Sequence, residues 1–329
     1  MDFAIKNIVI ATVIFGTILV IIFENRNPVK TIAWCMVLTF MPVIGLLLYI
    51  LFGMDNRHRR QIKDEDLSRL KGITEITQSD DILSEMPVPQ KPLADMLRKM
   101  NKSFLLSGND VEIITDFQTM SDRLIADIEG ARHHINMLFF KFEDDAAGRR
   151  IADALIRKSE EGVLVRLIYD DAGNLMVPRR FYRKLRKHGI QVRGFIRIFL
   201  PILSRDYNSR NHRKVVVIDG RVGYMGGMNI AQRYAEGLKW GIWRDTHMRI
   251  TGPAVSELQT SFLTDWKFTK GDEPDLAPMY PYNPPCGNTL MQIVTGGPMD
   301  KWNVMMQAYM TAIASARHHA YLQSPYFIP

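Results

Sequence analysis

"NHRKVVVIDGRVGYMGGMNI", residues 211–230, sets a histidine and a lysine one residue apart, directly before a run of β-branched residues. Val215 to Ile218 reads as a buried strand, Asp219-Gly220 as the two-residue turn of a hairpin, and Val222 onward as the returning strand. Side chains alternate along a strand, so His212 and Lys214 point to one face. Gly226 and Gly227 leave the backbone bare where something must come close. Asn229 follows with an amide that can donate to an oxygen or to the imidazole. One side chain can therefore attack while its neighbour grips a charged oxygen.

Outward from this hairpin, strand and helix alternate. "VEIIT" is a strand, "SDRLIADIEGARHH" a helix, "INMLFFKF" a strand, "AAGRRIADALIRKSEEG" a helix, "VLVRLIYDD" a strand, "PRRFYRKLRKHG" a helix and "IQVRGFI" a strand. Gly162 and Gly189 stand where helix C-caps belong. "THMRITGP" adds a strand and "AVSELQTSFLTDWKFTK" a closing helix. Such alternation implies an α/β unit with a largely parallel sheet covered on both faces.

The net charge of +7 is concentrated. Residues 178–214 hold twelve Lys/Arg against one acid, Asp206, a surface suited to phosphates. The piece "FIRIFLPIL" (195–203) within it is either a strand leading into a core loop or a segment that dips into a bilayer. Two cysteines, Cys35 and Cys286, support neither a disulfide framework nor a Cys-based metal site. The pairs His133-His134 and His318-His319 point in different directions and carry no acid pattern, so they read as structural rather than metal-binding.

The N-terminus is of another kind. "FAIKNIVIATVIFGTILVIIF" (3–23) and "TIAWCMVLTFMPVIGLLLYILFG" (31–53) are each long enough to cross the ~30 Å of a bilayer core. Their short connector makes a hairpin, with Pro42 leaving room for a re-entrant form. Arg57, Arg59, Arg60 and Lys63 after it favour a cytoplasmic location for the long C-terminal part. The expected organisation is an anchor over 1–55, an acidic, Pro-containing linker over 56–110, a catalytic unit over 111–275 and a further, incomplete unit over 276–329.

That last boundary rests on an echo. "LIADIEGARHHINMLFFKF" (124–142) is answered by "YMTAIASARHHAYLQSPYFIP" (309–329), and "EIITD" before the first by "QIVTG" before the second. Two echoes in one order suggest a duplication. His134 precedes His212 by 78 residues, so the second copy's histidine is expected near position ~397, past the last residue.

The spacing His212-x-Lys214-x4-Asp219-x6-Gly226-Gly227-x-Asn229 resembles the H-x-K-x4-D-x6-G-G-x-N signature of the phospholipase D superfamily at every position. "WRDTHMRITGPAV" and the N-terminal "NPVKTIAWCMVLTFMPVIGLLLYILFG" are similar to bacterial cardiolipin synthases, which join such an anchor to two domains of this kind. The resemblance implies a phospholipase D-like mixed or parallel sheet flanked by helices, preceded by a two-helix membrane hairpin. It implies a phosphatidyltransferase that joins two phosphatidylglycerols through a phosphohistidine and releases glycerol, with no cofactor and no metal. His212, Lys214 and Asp219 are then the catalytic set, although the turn position of Asp219 argues for holding the hairpin rather than touching substrate. Lys214, Gly226, Gly227 and Asn229 would bind the substrate phosphate. Asp245 would support the histidine of the other half, leaving His212 without a carboxylate of its own. The implied setting is the cell membrane, multi-pass, with the catalytic part cytoplasmic, self-association allowed and no nucleic acid partner. A phosphodiesterase of the phospholipase D type, and an inactive fragment or membrane-bound interaction module, are the competing readings.

Overall fold

The computed structural model describes residues 2–23, 28–53, 90–196, 210–239, 241–297 and 303–324. The basic cluster at 57–63, most of the expected linker and most of 195–203 lie outside them. The chain divides into an N-terminal unit and a larger unit carrying the hairpin.

In the N-terminal unit, α1 (Asp2–Phe23) contains a 19-residue stretch, Ile5–Phe23, with mean hydropathy 2.4, long and apolar enough to cross a membrane. Its two threonines return their hydroxyls to the helix, Thr12 to the Ile8 carbonyl and Thr17 to that of Val13, so neither hydroxyl is left unsatisfied. The second apolar run, expected as one span, is broken. It forms α2 (Pro28–Phe40) and α3 (Pro42–Leu48), followed by a π-helical turn, Tyr49–Gly53. Pro42 explains the break: the residue before it, Met41, leaves helical geometry at φ −131°, ψ 68°. Ile14, Ile21, Leu38 and Tyr49 are buried together, and Trp34 meets Tyr49 edge-on at 5.5 Å.

The larger unit begins earlier than 111. Residues 91–101 form a helix, α4 (Lys91–Asn101), entered through Pro92, and β1 (Leu105–Ile114) starts six residues before the expected boundary. Then come α5 (Phe117–Gly130), β2 (His134–Phe139), α6 (Ala146–Glu160), β3 (Leu164–Asp170), α7 (Arg179–Lys187), β4 (Gln191–Phe195), the hairpin β5 (Val215–Ile218) and β6 (Val222–Gly226), α8 (Gln232–Glu236), β7 (His247–Thr251), α9 (Val255–Phe268), β8 (Thr289–Gln292) and α10 (Val304–Ser315). Gly162 and Gly189 follow α6 and α7 at φ +92° and +86°, the left-handed geometry that closes a helix.

The eight strands among the described residues join one sheet in the order β4-β3-β2-β5-β6-β7-β1-β8. Only β2–β3 and β3–β4 pair in parallel; the remaining neighbours are antiparallel, so the sheet is mixed rather than largely parallel. The reason is the hairpin, which lies beside β2 and reverses direction there. β8, from the segment expected to open another unit, pairs with β1 and so completes this sheet.

Burial on both faces follows the two-residue strand period. Ile135, Met137, Phe139, Val165, Leu167, Val216 and Ile218 pack under α5, α6 and α7. The alternate residues, among them Leu138 and Ile168, or Val215 and Val217, pack against Phe262 and Leu258 of α9. Lys214 shares the parity of Val216, so His212 and Lys214 belong to the α5–α7 face.

Candidate active site

His212 and Lys214 lie in the extended lead into β5, at the end of the sheet where β2 and β3 finish. Their alternation holds: Lys214 Nζ donates to the His212 carbonyl at 2.6 Å and lies 3.1 Å from His212 Nδ1. Arg213 between them points to the other face. There Nη1 reaches both Asp265 oxygens on α9 at 2.7 Å and Nη2 reaches the Gly296 carbonyl at 3.0 Å. A forked guanidinium bond of this kind fixes orientation, so the reactive pair is held from behind.

Lys214 is buried, and loss of water pulls its ammonium down to about 8, although Asp245 and Asp170 pull the other way. The His212 ring keeps an open edge while Phe140 lies against it at 4.6 Å. Burial lowers its basicity, Lys214 lowers it further and Asp245 opposes both. The ring is thus biased to the neutral form that a nucleophile requires.

Two neighbours that sequence reasoning missed set the pair's position. Asp170, ending β3, is fully buried and accepts the backbone N–H of Asn211 at 3.1 Å and of Gly173 at 3.0 Å. Asn174 donates to the carbonyls of Phe140 and Asp170 and accepts from the Phe142 N–H, tying the ends of β2 and β3 together. The signal was available: an acid closing the apolar run "VLVRLIYD" sits at a strand's carboxyl end, where α/β sheets place their ligands. His247, also unforeseen, is wholly buried with neither ring nitrogen hydrogen-bonded, and burial takes it down to about 3.

The other expected residues divide. Asp219 is not brought to the site. It occupies the turn at φ +52°, at the opposite end of β5, and its carboxylate accepts the N–H groups of Arg132, His133 and His134 at 2.8–2.9 Å. These bonds tie the hairpin's turn to the corner between α5 and β2. Gly226 and Gly227 each stand against their own chain. A Cβ on Gly226 would come within 2.5 Å of the Thr246 carbonyl and the His247 Cα, and one on Gly227 would overlap the Asp245 carboxylate. The Gly227 N–H is already given to the Thr246 carbonyl at 2.8 Å. Asn229 is buried beside the site with its amide engaged, accepting the Lys141 N–H at 3.0 Å and donating to the Tyr234 hydroxyl at 2.9 Å. It shapes the wall. Asp245 bonds its neighbour's N–H, Thr246, at 2.7 Å and acts on His212 and Lys214 through its field alone. No carboxylate hydrogen-bonds His212 among the described residues.

His134 is buried in β2 with Nε2 3.4 Å from Gln259, while His133 beside it is exposed, so the pair does diverge. Burial lowers His134 to about 4.

Residues 124–266 match the family described as cardiolipin synthase, PLD-like domain, and residues 12–53 match the phospholipase D-nuclease N-terminal family. The major cardiolipin synthase ClsA of Bacillus subtilis is 37% identical, over 99% of this chain and 69% of its own length. Cardiolipin synthase of Listeria monocytogenes is 36% identical, over 98% of this chain and 69% of its own length. The crystal structure of Nuc, a phospholipase D family member from Salmonella typhimurium, is 20% identical over 49% of this chain and 94% of its own, with a TM-score of 0.37. With the His212–Lys214 pair at the end of a mixed sheet and relatives aligned along almost its whole length, the chain belongs to the cardiolipin synthase family of the phospholipase D superfamily.

Proposed function

We propose that His212 is the nucleophile of a phosphatidyl transfer that makes cardiolipin from two phosphatidylglycerols. The observation that carries this is the His212–Lys214 contact at the mouth of the sheet, an imidazole with a cation poised beside it. In the first half-reaction Nε2 forms a bond to phosphorus while the bond from phosphorus to the departing glycerol oxygen breaks. That oxygen takes a proton from an acid, which the family resemblance assigns to a second histidine. In the second, the same second histidine, now deprotonated, takes the proton of the acceptor's hydroxyl, whose oxygen bonds to phosphorus as the P–N bond breaks and restores the ring. Lys214 carries the negative charge that grows on the phosphoryl oxygens; loss of such a donor costs ~10²–10³ in rate.

The ring's tautomer decides whether attack is possible. An ammonium donating to Nδ1 leaves the neutral ring's proton on Nε2, where it blocks attack. A reactive Nε2 needs an acceptor at Nδ1. Lys214 therefore leaves Nδ1 for the phosphate when substrate binds, and a carboxylate takes its place. Asp245 serves its counterpart in the other half by the same geometry. Supporting a second copy, α10 repeats the ends of α5. Asn303 caps its start as Asp116 caps that of α5, and Ala316 (φ −66°, ψ 133°) closes it as Ala131 (φ −64°, ψ 140°) closes α5. In this reading the chain supplies the first half of the site, its N-terminal helices cross the membrane more than once, and the catalytic unit faces the cytoplasm.

The test is lipid analysis of membranes carrying the protein with His212 intact or replaced by Ala. Cardiolipin and free glycerol should form in equal amounts only with His212. Phosphatidic acid in their place would favour the phosphodiesterase.

A further inference from the structure

The end of the sheet that carries His212 has an apolar rim that no described residue covers. Two loops form it. One follows β3 and spans 171–178; the other runs from α8 to β7 and spans 237–246. β3 finishes at this end, and β6, antiparallel to β5, finishes there too, so both loops rise beside the lead into β5. At their tips Met176 is 95% exposed and Ile242 87%, with Leu175 and Leu238 also open to solvent.

The described parts of both loops are tied to the unit below them. Val177 and Trp243 pack onto the core below them, Trp243 against Tyr234 at 5.4 Å. Asn174 locks the first loop to the ends of β2 and β3. Leu238 and Gly241 exchange backbone hydrogen bonds at 2.9 and 3.0 Å to close the second. Four large apolar side chains shared between two loops at the same end of the sheet suit a surface that meets an apolar partner.

Charge indicates what does. Arg179 and Arg180 stand exposed beside Met176, and Lys239 and Arg244 flank Ile242. None of the four has an ion-pair partner among the described residues. Apolar tips interleaved with unpaired cations match a bilayer with anionic headgroups, where the apolar groups sink to the acyl boundary and the cations stay at the phosphates. A nucleic acid would use the cations but leave Met176 and Ile242 wet.

The geometry points to the rim formed by 171–180, 237–239 and 241–244 as a membrane-docking surface that sets the mouth of the His212 site on an anionic bilayer. A lipid then reaches His212 with its phosphate while its chains stay in the membrane. The inference builds on the reading of a membrane-lipid substrate and adds where the protein meets that membrane.

The full chain, with Cys35 and Cys286 replaced by Ser, would carry a polarity-sensitive fluorophore on Met176→Cys, on Ile242→Cys or on Arg132→Cys at the opposite end of the sheet. It would be reconstituted in phosphatidylglycerol nanodiscs containing lipids brominated on the acyl chains. The probes at 176 and 242 should be quenched about threefold or more beyond the probe at 132, with a blue shift that weakens in phosphatidylcholine nanodiscs or at high salt. Quenching at 176 and 242 no greater than at 132 would overturn the proposal. So would an equal blue shift on adding single-stranded DNA to lipid-free, detergent-held protein. Cardiolipin formation in the same nanodiscs reports on the reaction separately. Quenching without product keeps the docking surface and speaks only against turnover by this chain without its other half; product without quenching keeps the transferase and removes the docking surface.

Discussion

The Asp170 carboxylate accepts the backbone N–H of Asn211 at 3.1 Å, so a buried acid at the end of β3 fixes the residue immediately before His212. Its other oxygen holds Gly173. Asp170→Asn can satisfy one of these N–H groups but turns an NH2 toward the other. The variant should fold, as judged by circular dichroism, yet lose activity by ~10²-fold, the scale at which a displaced reacting group is felt. Asp170 also raises the basicity of Lys214, so the alkaline limb of the variant's pH profile should move to lower pH.

The pH dependence of kcat/KM for the unaltered protein should be bell-shaped. His212 must be neutral to attack, and its lowered basicity puts the acid limb below the ordinary histidine value of 6.5. Lys214 must be charged to hold the phosphoryl oxygens, so activity falls as pH rises through about 8. An alkaline limb near the ordinary lysine value of 10.5 would contradict the burial of Lys214.

Asp219→Ala should act on stability rather than chemistry. It strips acceptors from three successive N–H groups, those of Arg132, His133 and His134, at a cost of about 2–4 kcal/mol in chemical denaturation. Activity per folded molecule should stay within a few-fold. A catalytic Asp219 would instead abolish turnover with stability intact.

Gly227→Ala forces a methyl group into the Asp245 carboxylate, and Gly226→Ala forces one against the backbone of β7. The second should be worse for stability, by about 1–3 kcal/mol, because backbone cannot swing aside. The first should chiefly move the acid and alkaline limbs of the pH profile to lower pH, since Asp245 raises both His212 and Lys214.

His247 should make the fold acid-sensitive. Folded, it resists protonation until about pH 3; unfolded, it takes its proton near 6.5. The unfolded state therefore binds more protons between those values, and stability present above pH 6.5 is lost as pH falls. Between pH 7 and 5 this one ring accounts for about 2 kcal/mol. His247→Phe keeps a ring against Phe139 and should flatten that part of the stability profile, measured by urea denaturation at each pH.

Local chemistry was easiest to read from the sequence. The Asp219-Gly220 turn, the glycine stops of α6 and α7, and the His212–Lys214 pair each depend on a few adjacent residues, and each lies where the pattern placed it. Long-range pairings were not legible. Strand–helix alternation says nothing about a hairpin inserting beside β2, and nothing local announces that residues 289–292 will pair with β1. Nor does a glycine show who approaches it: Gly226 makes way for the start of β7, which the register of β6 against β7 reveals, and Gly227 for the Asp245 side chain. Asp170 was visible as an acid at a strand's end, but its task was not, because its partner, Asn211, lies 41 residues away.

The matching ends of α5 and α10 bear on the order of folding. One helix is packed into the core and the other shows Met306, Tyr309 and Met310 to solvent, yet Ala-Arg-His-His terminates both with the same backbone angles and the same N–H to carbonyl bond. A stop that forms alike in both surroundings needs no sheet to impose it. It can be set within the microsecond in which a helix forms, ahead of the slower search that brings β2 between β3 and β5. The first histidine-bearing strand thus enters that search with its starting point already marked.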